Sequence, residues 1–125
     1  MKIFYPFLLS VLLLIVGETT MAQESKQMIR IARITVDSAM LENYKSALKE
    51  AIGTAIRVEP GVLTLYAVYD KSHPTQVTVF EIYASEEAYK SHIQTPHFKK
   101  YKSTTLQMVK SLELSDVSPI LLGKK

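Results

Sequence analysis

The most restrictive feature of this 125-residue sequence is a strand pattern that runs directly into two short helices at residues 79–98. Residues 76–83 are rich in β-branched and aromatic side chains, which favour a strand. Ser85 follows as a helix N-cap, and the two glutamates after it stabilise the first helical turn through the helix dipole. Pro96 ends this helix and begins the next one. Because the segment also holds two of the three histidines, we expect any small-molecule site to be built on it.

The rest of the chain predicts three further strands and one long helix. Residues 28–36 carry apolar side chains on both faces, as in a strand that is covered on both sides. Apolar residues then repeat every three or four positions over residues 40–56, which predicts an amphipathic helix that a Pro-Gly pair ends at residues 60–61. The remaining predicted elements are a strand at residues 62–69, a helical stretch at 97–110 and a last strand at 112–117.

The order of these elements predicts an α+β fold, a ferredoxin-like sandwich with a four-stranded antiparallel sheet and helices on one face. The other face has no helix to cover it, although the first strand is apolar on both sides and Ile120, Leu121 and Leu122 form an apolar tail. A homodimer that packs sheet against sheet would cover this surface. Because the chain has no cysteine, we expect its stability to come from packing and from such a partner, not from disulfides.

Residues 1–22 have the pattern of a cleavable signal peptide. Lys2 supplies the positive start, an apolar run follows at residues 7–16, and the segment ends in small residues around Ala22. The run is shorter than the roughly 20 residues that span a bilayer, although an uncleaved anchor is the alternative. We therefore predict cleavage after Ala22, a short polar lead at residues 23–27 and a single domain at 28–125. The mature protein would be periplasmic or secreted, without a stable membrane anchor.

Charge and motif spacing exclude several function classes. The net charge of +3 is small, and the lysines at residues 99–102 lack the Arg-rich or repeated aromatic pattern of a nucleic-acid groove. The sequence has no Gly-rich phosphate loop, nucleophile elbow or paired-carboxylate motif. His92 and His97 lie five residues apart across a proline, with no acidic or cysteine ligand at a favourable spacing. We therefore predict no nucleic-acid partner, no metal and no cofactor.

The two histidines of the 79–98 segment are the first candidates for a site. His92 shares a helix stripe with the small residue Ala88 and should face the sheet, where an imidazole can act as a general base near neutral pH. The alternative is a buried structural histidine that bonds to a carboxylate or a carbonyl. His97 follows the proline at the start of the next helix, so it either contributes to a site or caps and packs.

Three strand residues complete the set of candidates. Glu81 is a carboxylate in an apolar strand, so it must be paired, exposed or raised in pKa, and His92 is its predicted partner. Tyr66 and Tyr83 are amphipathic and either line a pocket with their hydroxyl groups or serve as ordinary strand aromatics.

Several of these residues together form a pattern that resembles a known family. The pattern consists of Glu59-Pro60-Gly61, Tyr66, and Glu81-x-Tyr83-x-Ser85-x-x-Ala88-x-x-x-His92-x-x-Thr95-Pro96-His97-Phe98. Over about residues 29–122 the chain resembles the antibiotic biosynthesis monooxygenase (ABM) domain family. The resemblance implies a dimeric α/β barrel with a pocket between sheet and helices in each subunit. Its members include cofactor-free quinol-type monooxygenases, haem-degrading enzymes and an isomerase that acts on a phosphorylated signalling-sugar derivative.

Departures from the family pattern narrow the expected function. The haem-degrading members use Asn, Trp and His where this chain has Ala32, Tyr83 and Lys102, so haem degradation is not expected. The strand-to-helix region resembles the isomerase, but an export signal fits poorly with a phosphorylated cytoplasmic substrate. Together with the predicted export signal, the resemblance therefore indicates an exported, cofactor-independent monooxygenase-like enzyme for a small aromatic or quinol-type substrate. The alternatives are a non-catalytic small-molecule-binding or stress-response module and an isomerase of the autoinducer-processing type.

The expected site assigns each candidate residue a role within that function. His92 would be the base, Glu81 would orient it, and Tyr83 would complete the catalytic group. The substrate would be bound in a dry pocket by Tyr66, His97 and Phe98.

Overall fold

The computed structural model describes residues 2–3 and 26–125 of the chain. The predicted signal peptide at residues 1–22 lies, apart from residues 2–3, outside the described residues, and so does its cleavage point. The strands are β1 (Met28–Val36), β2 (Val62–Tyr69), β3 (Gln76–Tyr83) and β4 (Val109–Val117). The α-helices are α1 (Leu41–Val58), α2 (Glu86–His92) and α3 (Pro96–Thr105), and a short 3₁₀ helix (Ser38–Met40) precedes α1. Within residues 2–3 and 26–125, none of the helices has the length and apolar character needed to cross a bilayer.

The four strands form one antiparallel sheet in the order β2-β3-β1-β4, and the helices lie on one of its faces. This arrangement confirms the predicted α+β ferredoxin-like fold. The predicted N-cap of α2 is confirmed, because Ser85 Oγ accepts a hydrogen bond from the Ala88 N–H at 3.0 Å. The structure adds an N-cap for α3, where Thr95 Oγ1 accepts a hydrogen bond from the Phe98 N–H at 3.2 Å. The caps fix where α2 and α3 begin, and therefore where their histidines lie.

Two apolar clusters hold the helices against the sheet. The larger cluster joins β1, β3 and α1 and consists of Ala32, Ile34, Val36, Tyr44, Val77 and Val79. Full burial of an aliphatic side chain such as Val36 contributes about 1.5–3 kcal/mol to folding. The hydroxyl groups of Tyr44 and Tyr101 hydrogen bond at 2.7 Å, which links α1 to α3. A smaller cluster of Ala55, Val62 and Tyr83 lies at the other end of α1.

The end of α3 differs from the sequence prediction. The helix ends at Thr105 instead of residue 110, and β4 begins at Val109 instead of residue 112. The backbone N–H of Asp37 donates to the carbonyl of Met108 at 2.8 Å, and Val109 pairs with Val36 in the sheet. Met108 and Val109 therefore pack on the core from a turn and a strand, which their apolar character alone could not distinguish from a helix.

A β-bulge in β2 changes which of its residues face the helices. The register shifts between Val62 and Thr64, so that Val62 pairs with Tyr83 on the helix-covered face while Tyr66 pairs with Phe80 on the opposite face. Strict alternation along residues 62–69 would place Val62 and Tyr66 on the same face, and the bulge places them on opposite faces instead. Tyr66 is 68% exposed on the helix-free face and cannot reach a pocket between sheet and helices.

Candidate functional site

A cavity of about 380 Å³ lies between the helix-covered face of the sheet and the three helices. Much of its wall is apolar and includes Ile34, Leu48, Leu65, Val79, Phe98 and Leu114. The polar and aromatic groups that reach it include Arg30, Glu81, Tyr89, His92, Tyr101 and Lys102. A few polar groups in an apolar wall are typical of a small-molecule site, and the volume is within the usual range for such sites.

His92 and His97 meet at a single carboxylate, that of Glu59. Glu59 Oε2 lies 2.8 Å from His92 Nδ1 and 2.6 Å from His97 Nε2. The three side chains are only 9–16% exposed, which strengthens interactions among them relative to those in water. Glu59 is the C-cap residue of α1, and it immediately precedes the Pro60-Gly61 turn.

The corner between α2 and α3 holds both imidazole rings in place. Thr95 Oγ1 donates to the carbonyl oxygen of His92 at 2.7 Å while it caps α3, so one side chain joins the two helix ends. The ring of His92 also packs against Tyr83 and Phe98, with centroid separations of 5.3 and 5.1 Å. The positions of both histidines therefore follow from the proline, the cap and the aromatic packing together.

The contact with Glu59 determines which nitrogen of His92 is free. An ionised carboxylate only accepts hydrogen bonds, so His92 must carry a proton on Nδ1. In the neutral ring this leaves Nε2 as an acceptor, and His92 forms part of the cavity wall. A fixed tautomer with one free basic nitrogen is the arrangement that a general base requires.

Glu81 is paired with Tyr83 and not with His92. The Tyr83 hydroxyl donates to Glu81 Oε1. The predicted direct contact between Glu81 and His92 is therefore wrong, because Glu59 occupies the Nδ1 side of the histidine. Glu59 lies 33 residues before His92, so proximity along the chain does not indicate it as the partner.

Burial determines the protonation behaviour of this pair. It raises the pKa of the Glu81 carboxyl, an effect that is opposed by the hydrogen bond from Tyr83, by the charge that His92 carries when protonated, and by the charge of Arg30. The pKa of Tyr83 is raised far above its ordinary value, first by burial and then by the charge and hydrogen bond of Glu81. The Tyr83 hydroxyl therefore keeps its proton at all physiological pH values and donates a hydrogen bond to Glu81. Tyr83 is fully buried and does not form part of the cavity wall.

Arg30 is a cavity residue that the sequence reasoning missed. Its Nε donates to Asp116 Oδ1 at 2.9 Å, and its guanidinium lies 4.5 Å from the centroid of the Tyr89 ring. It pairs across the sheet with Glu81, so two opposite charges lie side by side on β1 and β3. The signal was available, because Arg30 is a charged residue in an apolar strand, which is the criterion that had selected Glu81.

The structure brings together some of the predicted site residues and separates others. His92, Glu81 and Phe98 form part of the cavity wall. Tyr83 lies behind Glu81, and His97 lies on the far side of Glu59 without reaching the main cavity. The donor atoms of Glu59, His92 and His97 lie within 4.8 Å of one another, so the expectation that no acidic ligand accompanies the histidines is wrong.

A comparison with protein families identifies the family of this chain. The model of the family described as antibiotic biosynthesis monooxygenase matches residues 28–104, which is more than half of the 125-residue chain. The chain belongs to the ABM family. The resemblance inferred from the sequence motifs is thereby confirmed. A search of curated proteins gave no match to this ABM protein.

Solved structures support the same assignment. A Bacteroides thetaiotaomicron protein assigned as an antibiotic biosynthesis monooxygenase is 55% identical, with a TM-score of 0.79, over 82% of this chain and 97% of that one. A Lactobacillus acidophilus protein assigned as a monooxygenase is 31% identical, with a TM-score of 0.72, over 73% of this chain and 43% of that one. A Nitrosomonas europaea structure at 19% identity and a TM-score of 0.71 shows the shared fold alone. Family and neighbours together support a generic monooxygenase-like function.

Proposed function

We propose that this ABM protein is an exported, cofactor-independent monooxygenase that oxidises a small phenolic or quinol-type substrate. The observation that carries the proposal is His92, whose Nδ1 is held by Glu59 while its ring forms part of the wall of a largely apolar cavity. The base lies where a bound hydroxyaromatic would present its proton. A wall that is mostly apolar also excludes water from the anion that forms.

The chemistry follows from the electron-rich character of such a substrate. His92 Nε2 accepts the proton of the substrate hydroxyl, which leaves an aromatic anion. The anion reduces dioxygen and forms a carbon–oxygen bond at a ring carbon, and the resulting peroxide loses water to leave a carbonyl. A phenol and one O₂ thus give a quinone and one H₂O. The substrate supplies all four electrons, so the reaction balances without an external reductant.

Oxygen uptake with a panel of quinols and phenols tests the proposal. The expected result is uptake of one O₂ per substrate consumed, with one oxygen atom from ¹⁸O₂ in the product and one in water. Binding of a panel member without oxygen uptake would contradict the proposed reaction. That outcome would favour a small-molecule-binding module of the same fold, the principal alternative.

A second candidate function is isomerisation of a phosphorylated substrate. The observation in its favour is the set of cations in the cavity wall, which consists of Arg30, Lys102 and Lys110. Cationic side chains in a pocket favour an anionic ligand such as a phosphate ester. Arg30 is, however, already bonded to Asp116 and packed on Tyr89, so it is less available than the lysines. Isomerisation of a phosphorylated substrate under strictly anaerobic conditions would support this second function.

Export is part of the proposal, and it makes a direct prediction about the mature N-terminus. The positive start, the short apolar run and the small residues near Ala22 are what a signal peptidase recognises. Mass spectrometry of protein from the periplasm or the medium should show Gln23, free or cyclised, as the first residue. Retention of residues 1–22 in that fraction would contradict both the cleavage and the predicted domain boundary.

We also propose that the chain forms a homodimer through the helix-free face of its sheet. Tyr66 and Val68 lie on that face and are 68% and 61% exposed. Light scattering at micromolar concentration should give the mass of a dimer. Val68→Lys should shift the mass toward a monomer, because it would bury a charge in the interface. A monomer in the unmodified protein would contradict the proposal.

A further inference from the structure

We propose that Glu59, His92 and His97 form a binding site for one divalent transition-metal ion of the zinc type. The donor set is one carboxylate oxygen and two imidazole nitrogens, which Zn²⁺ accepts in many protein sites. Spacing along the chain does not reveal this set, because Glu59 is brought to the histidines only by the end of α1 and its turn.

The separations of the donor atoms suit a metal ion after a small side-chain adjustment. Tetrahedral ligands at zinc bond lengths lie roughly 3.4 Å apart. Glu59 Oε2 is 2.8 Å from His92 Nδ1 and 2.6 Å from His97 Nε2, so each separation must open by roughly 0.6–0.8 Å. All the donor atoms already lie within 4.8 Å of one another. The proposal therefore requires the Glu59 carboxylate to move by less than about 1 Å relative to each imidazole when the metal binds.

The histidines are prepared for the metal by the fold around them. The Thr95 cap joins α2 to α3, and the rings of Tyr83 and Phe98 pack against His92. Ordered ligands lose little conformational entropy on binding. Across residues 26–125, the ion pairs of Glu59 are with these two histidines alone, so no lysine or arginine there neutralises the carboxylate. Two neutral imidazoles and one carboxylate carry a single negative charge, which attracts a dication.

Metal binding at Nδ1 of His92 would prevent Nε2 of the same ring from acting as the catalytic base. A metal ion on Nδ1 of His92 displaces the proton that now bridges to Glu59, and the neutral ring then carries its proton on Nε2. In that state Nε2 donates and cannot act as a base. This consequence rests on the proposed function, because the metal-bound protein would be the inhibited form of the proposed monooxygenase. Metal binding itself does not depend on the reaction.

The test is titration of the tag-free, chelator-treated protein with Zn²⁺ and, separately, with Co²⁺. Calorimetry should show one Zn²⁺ per chain, and Co²⁺ should give visible absorption bands of a tetrahedral site. His97→Ala should weaken binding more than about 100-fold, which exceeds the effect of losing a group that only supports a ligand. His73→Ala is the matched control, because His73 lies in an exposed turn beside Asp70, and it should leave binding unchanged.

Glu59→Gln separates a loss of binding from a loss of folding. The glutamine oxygen can still accept hydrogen bonds from both histidines, but it lacks the charge that the metal requires. This variant should melt close to the unmodified protein without metal, yet show the same fall in affinity as His97→Ala. Equal affinity in the unmodified protein, Glu59→Gln and His97→Ala would overturn the site, as would the absence of binding. Oxygen uptake that persists with metal bound would instead contradict the base role of His92 and leave the metal site standing.

Discussion

His92→Ala is expected to lower the rate of oxygen uptake by roughly two to four orders of magnitude, the usual contribution of a positioned general base. The substrate hydroxyl would still enter the cavity, but the basic nitrogen beside it would be missing. Stability should fall by about 1–3 kcal/mol, because Glu59 loses one of its two donors. Turnover per folded molecule, measured below the melting transition, distinguishes the two effects. Free imidazole should restore part of the rate by occupying the space that the substitution leaves.

His97→Ala is the matched control for this prediction. It removes the other donor to the same carboxylate, so its cost in stability should be similar. His97 does not reach the main cavity, however, and its loss should reduce turnover far less than the loss of His92. An equal fall in turnover for both variants would show that the hydrogen bonds of the two histidines to Glu59 support the structure of the site and that His92 is not the base. Normal turnover by folded His92→Ala would exclude the base role directly.

The fold was predictable because its signals are local. Ser85 marks the start of α2, Pro96 marks the start of α3, and the alternation of residues 76–83 marks β3. The errors arose where a residue's environment depends on distant neighbours. Val109 is apolar in either a helix or a strand, and only its pairing with Val36 in the sheet makes it part of β4. The bulge after Val62 likewise depends on the register with β3, which the pattern of β2 alone does not reveal.

The site was predictable only in part, and for a related reason. His92 was a candidate because it lies on the same helix face as Ala88, and that position on the helix also places it in the cavity wall. Its partner was not predictable, because a carboxylate 33 residues away competes with one 11 residues away and only the folded chain decides between them. Glu59 stood in the sequence as part of a turn motif. Its chemical role became visible when the end of α1 was placed against the corner between α2 and α3.

Gly61 explains how Glu59 is brought against His92, and its substitution gives the second large effect that we expect. A Cβ atom at position 61 would lie 2.7 Å from Cβ of Ala88 in α2. Real Cβ atoms do not approach so closely, so α2 packs on the turn after Glu59 because residue 61 lacks a side chain. The carbonyl of Gly61 also accepts a hydrogen bond from the Ala84 N–H at 2.9 Å, which ties the turn to the end of β3.

Gly61→Ala should therefore destabilise the protein by about 1–3 kcal/mol, the usual cost of forcing an extra methyl group into a packed contact. Because α2 must move away from the turn, His92 should also separate from Glu59, and both turnover and metal affinity should fall. Gly53→Ala is the control. Gly53 lies inside α1 with open space around it, so alanine there should stabilise the helix by about 0.5–1 kcal/mol. Chemical denaturation should show that Gly61→Ala lowers the free energy of unfolding and that Gly53→Ala raises it. A Gly61→Ala protein as stable and active as the unmodified one would mean that the contact with Ala88 does not position the two sides of the site.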